Sequence, residues 1–180
     1  MYDAILFLQD GFEEIEVVAT LDILRRAGVK VASVSFSGKR QVTGKHAITI
    51  LADMIIDDLK DISEAMLILP GGPAVIALKN NEYLKEMLKL HDKDGGKIAA
   101  ICAAPTILGG LGLLNSKEAV CYPGMENELN ALKISESSTI TDGNITTSRS
   151  PGSTFEFALE LVKIIKGKTE AAKVAEFLVL

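Results

Sequence analysis

Short apolar runs alternate with stretches of helical spacing along the whole chain. Runs typical of buried strands cover residues 2–8, 30–36, 65–69 and 97–101. Shorter strand-like pieces follow the same rule at residues 47–52, 119–121, 139–141 and 145–147. Apolar positions at helical spacing occupy residues 13–27, 82–94, 104–111, 153–165 and 169–177. Strands that alternate with helices of this length form β–α–β units, so the pattern predicts an α/β fold with a mostly parallel sheet covered on both faces.

Local signals indicate where two of these helices begin and end. Gly28 directly follows the first helical stretch and is a typical C-terminal signal. Asp10 is predicted to cap the N-terminus of that helix, with Glu13 reaching back as in a capping box. Ser153 and Glu156 have the same spacing and predict a second capping box at the start of the next-to-last helix.

Composition narrows the class of protein. A chain of 180 residues predicts one domain over residues 1–180. The hydrophobic fraction of 48% and the mean hydropathy of +0.26 supply a large core and exclude a disordered chain. No stretch approaches the roughly 20 apolar residues that a membrane span needs. The net charge of −5, with no basic run and no Trp, argues against a nucleic-acid partner.

Two further features predict a cytoplasmic protein. Asp3 interrupts the first apolar run, and a structured pattern follows at once, which does not fit a signal peptide. The two cysteines, Cys102 and Cys121, are too few for a disulfide framework and fit a reducing compartment.

In parallel sheets, ligands bind at the carboxyl ends of the strands, and Cys102 lies at such an end. It directly follows the apolar run at residues 98–101 and precedes a helical stretch, which predicts a sharp strand-to-helix turn. Backbone amides at a helix N-terminus favour a thiolate, so the position predicts a reactive nucleophile. The alternative interpretation is a small apolar residue buried in the core.

Glu16 is out of place among its neighbours on the predicted first helix. Those at helical spacing are mostly apolar: Phe12, Glu13, Ala19, Thr20 and Ile23. We expect Glu16 to point inward near the end of the first strand, where burial would raise its pKa and let it donate to a thiolate or move a proton. The alternative is an ordinary solvated helix face.

Paired glycines, Gly71 and Gly72, follow the buried run at residues 65–69. Glycines bring backbone amides close to a reacting atom, and the Gly72 and Ala103 amides would form an oxyanion hole if they faced one point. The G-x-G-x-x-G spacing of dinucleotide sites is missing. The alternative is a tight loop with no further role.

Other polar residues give weaker signals. Arg149 precedes a helix and is interpreted as a structural donor, or as a cation that balances a nearby carboxylate. His46 and His91 lie far apart in the sequence, and no Cys or acidic cluster has metal-ligand spacing, so no metal site is predicted.

These motifs together resemble the ThiJ/PfpI family, in the branch of the parkinsonism-associated protein deglycase. The resemblance covers almost the whole chain. It runs through DGFEEIE with LRRAGVKV after it, LILPGGP, IAAICAAPTIL, CYPGMEN and TSRSPGSTFEFALELV.

The resemblance implies a flavodoxin-like three-layer sandwich, similar to class I glutamine amidotransferases, that forms a homodimer. It implies that Cys102 is the nucleophile, sensitive to oxidation as far as the sulfinic acid. It further implies that Glu16 hydrogen-bonds this cysteine and that Gly72 and Ala103 supply backbone amides. Tyr122 and Gly71 are expected to contact the substrate, and Arg26 and His46 to approach the partner's site across a dimer.

Two departures from the family's pattern narrow the mechanism. Tyr122 stands where many members place a histidine, and a tyrosine is a poor base near neutral pH, so Glu16 must carry the proton. Ala103 stands where the protease-like branch has a histidine after the nucleophile, which argues against a cysteine peptidase.

Three functions are left open by the sequence. The first is a glyoxalase or deglycase, without a cofactor, acting on small 2-oxoaldehydes such as methylglyoxal or on their early adducts. The second is a redox-sensing or chaperone-like protein whose Cys102 is oxidised with little turnover, with Cys121 as a candidate resolving thiol. The third is a role in the thiamine pathway, for which no phosphate-binding motif is present.

Overall fold

The computed structural model describes residues Met1–Leu180 and is built on one seven-stranded sheet with helices on both faces. The strands in chain order are β1 (Ala4–Leu8), β2 (Val31–Ser35), β3 (Gln41–Thr43), β4 (Thr49–Leu51), β5 (Met54–Ile55), β6 (Met66–Leu69), β7 (Ile98–Ile101), β8 (Glu118–Ala119), β9 (Lys133–Ile134), β10 (Thr139–Asp142) and β11 (Ile145–Ser148). The helices are α1 (Glu14–Arg26), α2 (Ala74–Lys79), α3 (Glu82–Lys93), α4 (Pro105–Gly110), α5 (Thr154–Lys166) and α6 (Lys168–Phe177). Single 3₁₀ turns lie at Ile56–Asp58, Glu126–Glu128 and Pro151–Ser153.

The sheet has the order β10-β11-β7-β6-β1-β2-β5 and is parallel except for the β10–β11 pair. Successive side chains of a strand point to opposite faces, and β1 shows this directly. Leu6 and Leu8 pack with α1, α5 and α6, whereas Ile5 and Phe7 pack with α2, α3 and α4. The three-layer α/β sandwich with a mostly parallel sheet is therefore confirmed.

Strand register brings the chain segments after four strands to one edge of the sheet. Leu69 pairs one residue short of the end of β7, at Ala100, and Ser148 pairs with Ile101. Because β1 lies beside β6 in the same direction, the segment after Leu8 also reaches this edge. The candidate loops predicted from the sequence therefore lie side by side.

Several short elements differ from the predictions. The strand predicted at residues 47–52 is β4, but it pairs with β3 in a separate hairpin rather than with the main sheet. The strand predicted at residues 119–121 ends at Ala119. The elements β3, β5, β9 and α2 were not predicted, because two to six residues are too few to show a period.

The predicted cap of α1 is wrong. Asp10 instead accepts a hydrogen bond from the Thr43 amide at 2.9 Å and so fastens the β3 strand. Glu13 is the N-cap, and its Oε2 accepts from the Glu16 amide at 2.9 Å. The predicted end is confirmed, since Gly28 adopts a φ of +67° directly after the helix.

The second predicted capping box is also displaced. The Ser150 amide donates to Ser153 Oγ at 3.0 Å, so the box lies one turn earlier, at the 3₁₀ turn before α5. Glu156 instead accepts from Ser138 Oγ at 2.6 Å.

None of the helices combines the length and apolar character needed to cross a bilayer.

Candidate active site

Cys102 occupies a strained turn between β7 and α4. Its φ of +65° lies in the left-handed region, which side chains other than glycine rarely adopt. Two backbone hydrogen bonds hold it there, from its amide to the Ser148 carbonyl at 2.9 Å and from the Tyr122 amide to its carbonyl at 2.7 Å. The sharp strand-to-helix turn predicted from the sequence is confirmed, and Cys102 is 7% exposed.

Glu16 points inward from the first turn of α1 and is 1% exposed, so it does not lie on a solvated helix face. Its Oε2 accepts a hydrogen bond from the Gly71 amide at 2.6 Å. Its carboxyl group lies against the side chain of Cys102, since a Cβ built on Gly71 would lie 2.9 Å from Glu16 Oε2 and 3.1 Å from Cys102 Sγ. The structure thus brings together two residues that are 86 positions apart in the sequence.

There is no space for a side chain at Gly71 or Gly72, and Gly72 also has a backbone angle that favours glycine. A Cβ on Gly71 would lie 2.8 Å from Cys102 Cβ and 2.9 Å from Glu16 Oε2. Gly72 has a φ of +90°, and a Cβ there would lie 2.5 Å from the Gly11 carbonyl oxygen. The loop after β6 is therefore more than a tight turn, because side chains at either position would displace the site.

Two amides face the sulfur of Cys102. The amides of Gly72 and Ala103 lie beside the side chain of Cys102, where they favour its ionised form, and neither donates to a backbone carbonyl. They come from different strand ends, β6 and β7, and converge because these strands are neighbours. This is the convergence on which the predicted oxyanion hole depends.

The titration of Cys102 and Glu16 is coupled. Burial raises the pKa of Glu16 from 4.5 to about 7, against the hydrogen bond from Gly71. Burial and the Glu16 carboxylate raise the pKa of Cys102 from 9.0 to about 12 and outweigh the amides of Ala103 and Gly72. The expectation that position alone favours a thiolate is therefore wrong while Glu16 is ionised. Deprotonation of the thiol needs a proton acceptor, and Glu16 is in contact with it.

The remaining candidates are placed less centrally. Tyr122 is next to Cys102 through its backbone, and its side chain is 46% exposed. Cys121 is buried in the layer of α2, α3 and α4, whereas Cys102 packs in the opposite layer. Arg149 is exposed, with its amide bound to the Ser138 carbonyl. Arg26 lies at the far end of α1, over the ring of Phe177.

One functional feature was missed by sequence reasoning. Glu14 is buried, and its two oxygens accept from the amide of His46 at 2.6 Å and meet the His46 ring at 3.1 Å. Although burial opposes it, these hydrogen bonds hold the pKa of Glu14 below its usual range. The contact fastens the β3–β4 loop, which carries Lys45, beside the site. Pairing across 32 residues leaves no local pattern from which it could be found.

Potential metal ligands also meet here. Oxygens of Glu13 and Glu14 and a ring nitrogen of His46 lie within 4.8 Å of one another. Sequence spacing gave no hint of this cluster. Each carboxylate already accepts a hydrogen bond, Glu13 from Glu16 and Glu14 from His46, so the cluster is explained without an ion.

A strained cysteine after β7, faced by a buried glutamate from α1, is the arrangement expected from the motifs. Residues 3–164 match the DJ-1/PfpI family. The chain belongs to the DJ-1/PfpI family. The resemblance seen in the sequence is thereby confirmed, and the site lies wholly within the matched residues.

Relatives in this family align over most of the chain. Drosophila melanogaster protein dj-1beta is 34% identical over 180 residues, 98% of this chain and 96% of that protein. Its crystal structure superposes with a TM-score of 0.91, covering 100% of this chain and 99% of the fly chain. Arabidopsis thaliana DJ-1 homolog B is 40% identical over 94% of this chain, but the chain spans only 40% of that plant protein.

Two further relatives are named for an activity. The glutathione-independent glyoxalase of Caenorhabditis elegans is 33% identical over 91% of this chain and 88% of its own length. A deglycase of Pyrococcus abyssi is 30% identical over 87% of this chain and 95% of its own length.

The space at Gly71 leads to a first prediction. We expect Gly71→Ala to push Glu16 away from Cys102, because the added carbon would overlap both side chains. The rate of Cys102 alkylation by iodoacetamide should fall about tenfold or more. Gly110→Ala is the matched control, since a Cβ there meets only Lys79 Cε at 3.8 Å, and it should react like the wild type. Equal rates in all three proteins would contradict the assigned contact.

The raised pKa of Glu16 leads to a second prediction. The folded state holds this proton up to about pH 7 and the unfolded state only to about 4.5, so wild-type stability falls as pH rises through that window. The loss amounts to about 3 kcal/mol. Glu16→Gln cannot ionise, so its free energy of unfolding in urea should not show this loss. As pH rises through the window, the variant should therefore become more stable relative to the wild type by this amount. Glu82→Gln, which changes an exposed carboxylate, is the control, and its free energy of unfolding should depend on pH as that of the wild type does. Parallel curves for all three would contradict a buried, ionising Glu16.

Proposed function

We propose that this protein is a cysteine-dependent glyoxalase or deglycase that acts on 2-oxoaldehydes such as methylglyoxal, or on their early adducts, and needs no cofactor. The observation that carries the proposal is the contact between the Cys102 thiol and a buried Glu16 whose pKa is about 7. The names of the two relatives called glyoxalase and deglycase support it. The role would be protection against carbonyl and oxidative stress.

The first step is addition of the Cys102 sulfur to the aldehyde carbon. As the carbon–sulfur bond forms, the ionised Glu16 accepts the thiol proton, and a base with a pKa near 7 is well matched to this transfer at neutral pH. The amides of Gly72 and Ala103 donate to the oxygen that gains negative charge. The protonated Glu16 then gives its proton to that oxygen, which yields a hemithioacetal and returns Glu16 to its ionised form.

The second step moves hydrogen between the two substrate carbons. Glu16 takes the proton from the former aldehyde carbon and returns it to the neighbouring carbon. The hydroxyl proton of the hemithioacetal passes to the oxygen of the former ketone, so that the sulfur-bearing carbon becomes the carbonyl of a thioester of a 2-hydroxy acid. One water then hydrolyses the thioester and frees the Cys102 thiol. From methylglyoxal the product is lactate. Early adducts of methylglyoxal with thiols or amines would first release the free thiol or amine, which regenerates the aldehyde, and Cys102 would then add to that aldehyde by the same steps.

A specific observation also favours the redox alternative. Glu16 Oε1 is buried without a hydrogen-bond partner, and the other oxygen of this carboxyl group, Oε2, lies near the Cys102 sulfur. A sulfinic acid formed on Cys102 by two equivalents of peroxide would place oxygen atoms beside this carboxyl group, which can share a proton with them. Both cysteines are free thiols, as a protein of the reducing cytoplasm would have them.

For the homodimer, we propose a second copy of this chain as the occupant of one apolar surface. Large aliphatic side chains on α1 and around β4 are about half exposed or more: Ile15, Val18, Ile48 and Leu51. Val18 and Leu51 line one common groove, with Asp22 and Arg25 at its margin. Contiguous apolar patches bordered by charge are typical of protein interfaces. Opposite charges on one patch suit a two-fold contact with itself.

The decisive experiment for the activity is methylglyoxal consumption with identification of lactate. We expect many turnovers by the wild type at substoichiometric enzyme, and loss of activity by at least about a thousandfold in Cys102→Ser. Glu16→Gln should remain folded and lose most of the turnover. Cys121→Ser, which replaces the thiol buried in the other layer, is the control and should retain activity.

Consumption that stops at one equivalent, or is equal in wild type and Cys102→Ser, would overturn the glyoxalase. It would favour the redox alternative, which predicts a sulfinate on Cys102 after mild peroxide treatment and a lower yield in Glu16→Gln.

The dimer is tested by light scattering during gel filtration. We expect the wild type at twice the 19.3 kDa of the chain and Val18→Glu at the monomer mass, because the new charge would be buried in the interface. Leu90→Glu, on the exposed face of α3, is the control and should remain dimeric. A monomeric wild type would contradict the proposal.

A further inference from the structure

Three hydrogen bonds join Glu13, Gly71 and Glu16 in a closed ring. The Glu13 amide donates to the Gly71 carbonyl at 3.1 Å, and the Gly71 amide donates to Glu16 Oε2 at 2.6 Å. The Glu16 amide donates to Glu13 Oε2 at 2.9 Å and completes the ring. Both ends of Glu16, its backbone and its carboxyl group, are thereby fixed to one loop.

From this ring we infer that Glu13 is a positioning residue, which acts through Glu16 and does not itself touch the substrate. It is 3% exposed, so its carboxylate is not a solvated first-turn acid. Phe12, the residue before Glu13, accepts a hydrogen bond on its carbonyl from the Lys45 amide at 2.9 Å. Glu13 therefore joins the first turn of α1 to the loop after β6 at the point where Glu16 leaves the helix.

Glu13 also supplies a charge beside Glu16. The groups that face Glu16 are the Cys102 thiol from the end of β7, the Gly71 amide from the end of β6, Glu13 from its own helix and Lys45 from the β3–β4 loop. Glu13 raises the pKa of Glu16 and Lys45 lowers it, in addition to the larger effect of burial. Removing the charge of Glu13 should therefore let Glu16 ionise at lower pH.

The two contributions of Glu13 can be separated by substitution. Glu13→Gln keeps a side-chain oxygen that can accept from the Glu16 amide, but it removes the charge. Glu13→Ala removes both, and Glu13→Asp keeps both with a residue that is a good N-cap. Glu82→Gln is the matched control, because it neutralises an exposed first-turn acid on α3, another helix.

This inference rests on the proposed pairing of Cys102 with Glu16 as its base, and its test does not depend on turnover of any substrate. The measurement is the rate of alkylation by iodoacetamide at Cys102, followed by mass spectrometry of the modified peptide from about pH 5 to about pH 9. Cys102 reacts when Glu16 can accept its proton, so the rate should rise as Glu16 ionises. Circular dichroism checks that each variant is folded.

We expect the midpoint of this rise to move to lower pH in Glu13→Gln, with the plateau rate kept within about twofold of the wild type. Glu13→Ala should lose about tenfold or more of the plateau rate, because Glu16 is no longer fixed. Glu13→Asp should restore both midpoint and plateau, and Glu82→Gln should match the wild type.

An unchanged midpoint in Glu13→Gln would overturn the role of the charge. A folded Glu13→Ala with a wild-type plateau would overturn the positioning role, whether or not the protein turns over methylglyoxal. If Glu13→Ala does not fold, the comparison of Glu13→Gln with Glu82→Gln still decides the first point. An inactive wild type with these shifts intact would count against the proposed function alone.

Discussion

The hydrogen bond from the Gly71 amide to the Glu16 carboxyl group joins the first helix to the edge of the central sheet. Helix α1 packs on one face of the sheet through an apolar stripe that includes Val17 and Leu24, and such packing by itself tolerates small shifts of the helix. The polar contact removes that freedom at the helix N-terminus. The approach of Glu16 to Cys102 depends on this bond, since the loop that supplies it also supplies the Gly72 amide.

Holding a carboxyl group and a thiol together away from water is unfavourable for stability. The raised pKa values of Glu16 and Cys102 express this cost, because each group is harder to ionise than it would be in solvent. The left-handed backbone of Cys102 adds strain that the surrounding strands must sustain. Such a concentration of unfavourable features in one loop cluster is typical of active sites, where chemistry rather than stability accounts for the residues.

A single carboxyl group with a pKa near neutrality can both accept and donate a proton at physiological pH. This property matters here because Tyr122 stands beside the cysteine and is a poor base. Burial is the main cause of the raised pKa of Glu16; the Gly71 amide opposes it most strongly, the charge of Glu13 adds to it and Lys45 lowers it. Burial therefore sets the pKa near neutrality, and Gly71, Glu13 and Lys45 adjust the pH at which the thiol finds a base.

The sequence by itself determined the order of the long elements and the edge at which the site lies. Buried runs such as residues 65–69 and 97–101 are continuous along the chain, and periodicity is a local property that a sequence displays directly. The same local reasoning placed Cys102 at a strand-to-helix turn and marked Glu16 as an acid among apolar neighbours. Parallel strands end at one edge, so the convergence of their loops followed from topology alone.

Only the tertiary structure decided how these residues are held and charged. The N-cap of α1 is Glu13 rather than the predicted Asp10, because the Asp10 carboxylate accepts a hydrogen bond from the Thr43 amide, 33 residues away in β3. The expectation of a thiolate failed because burial and the facing Glu16 outweigh the amides, and both effects arise from distant segments. Hydrogen bonds and desolvation depend on what packs around a group in space, and sequence spacing does not record that.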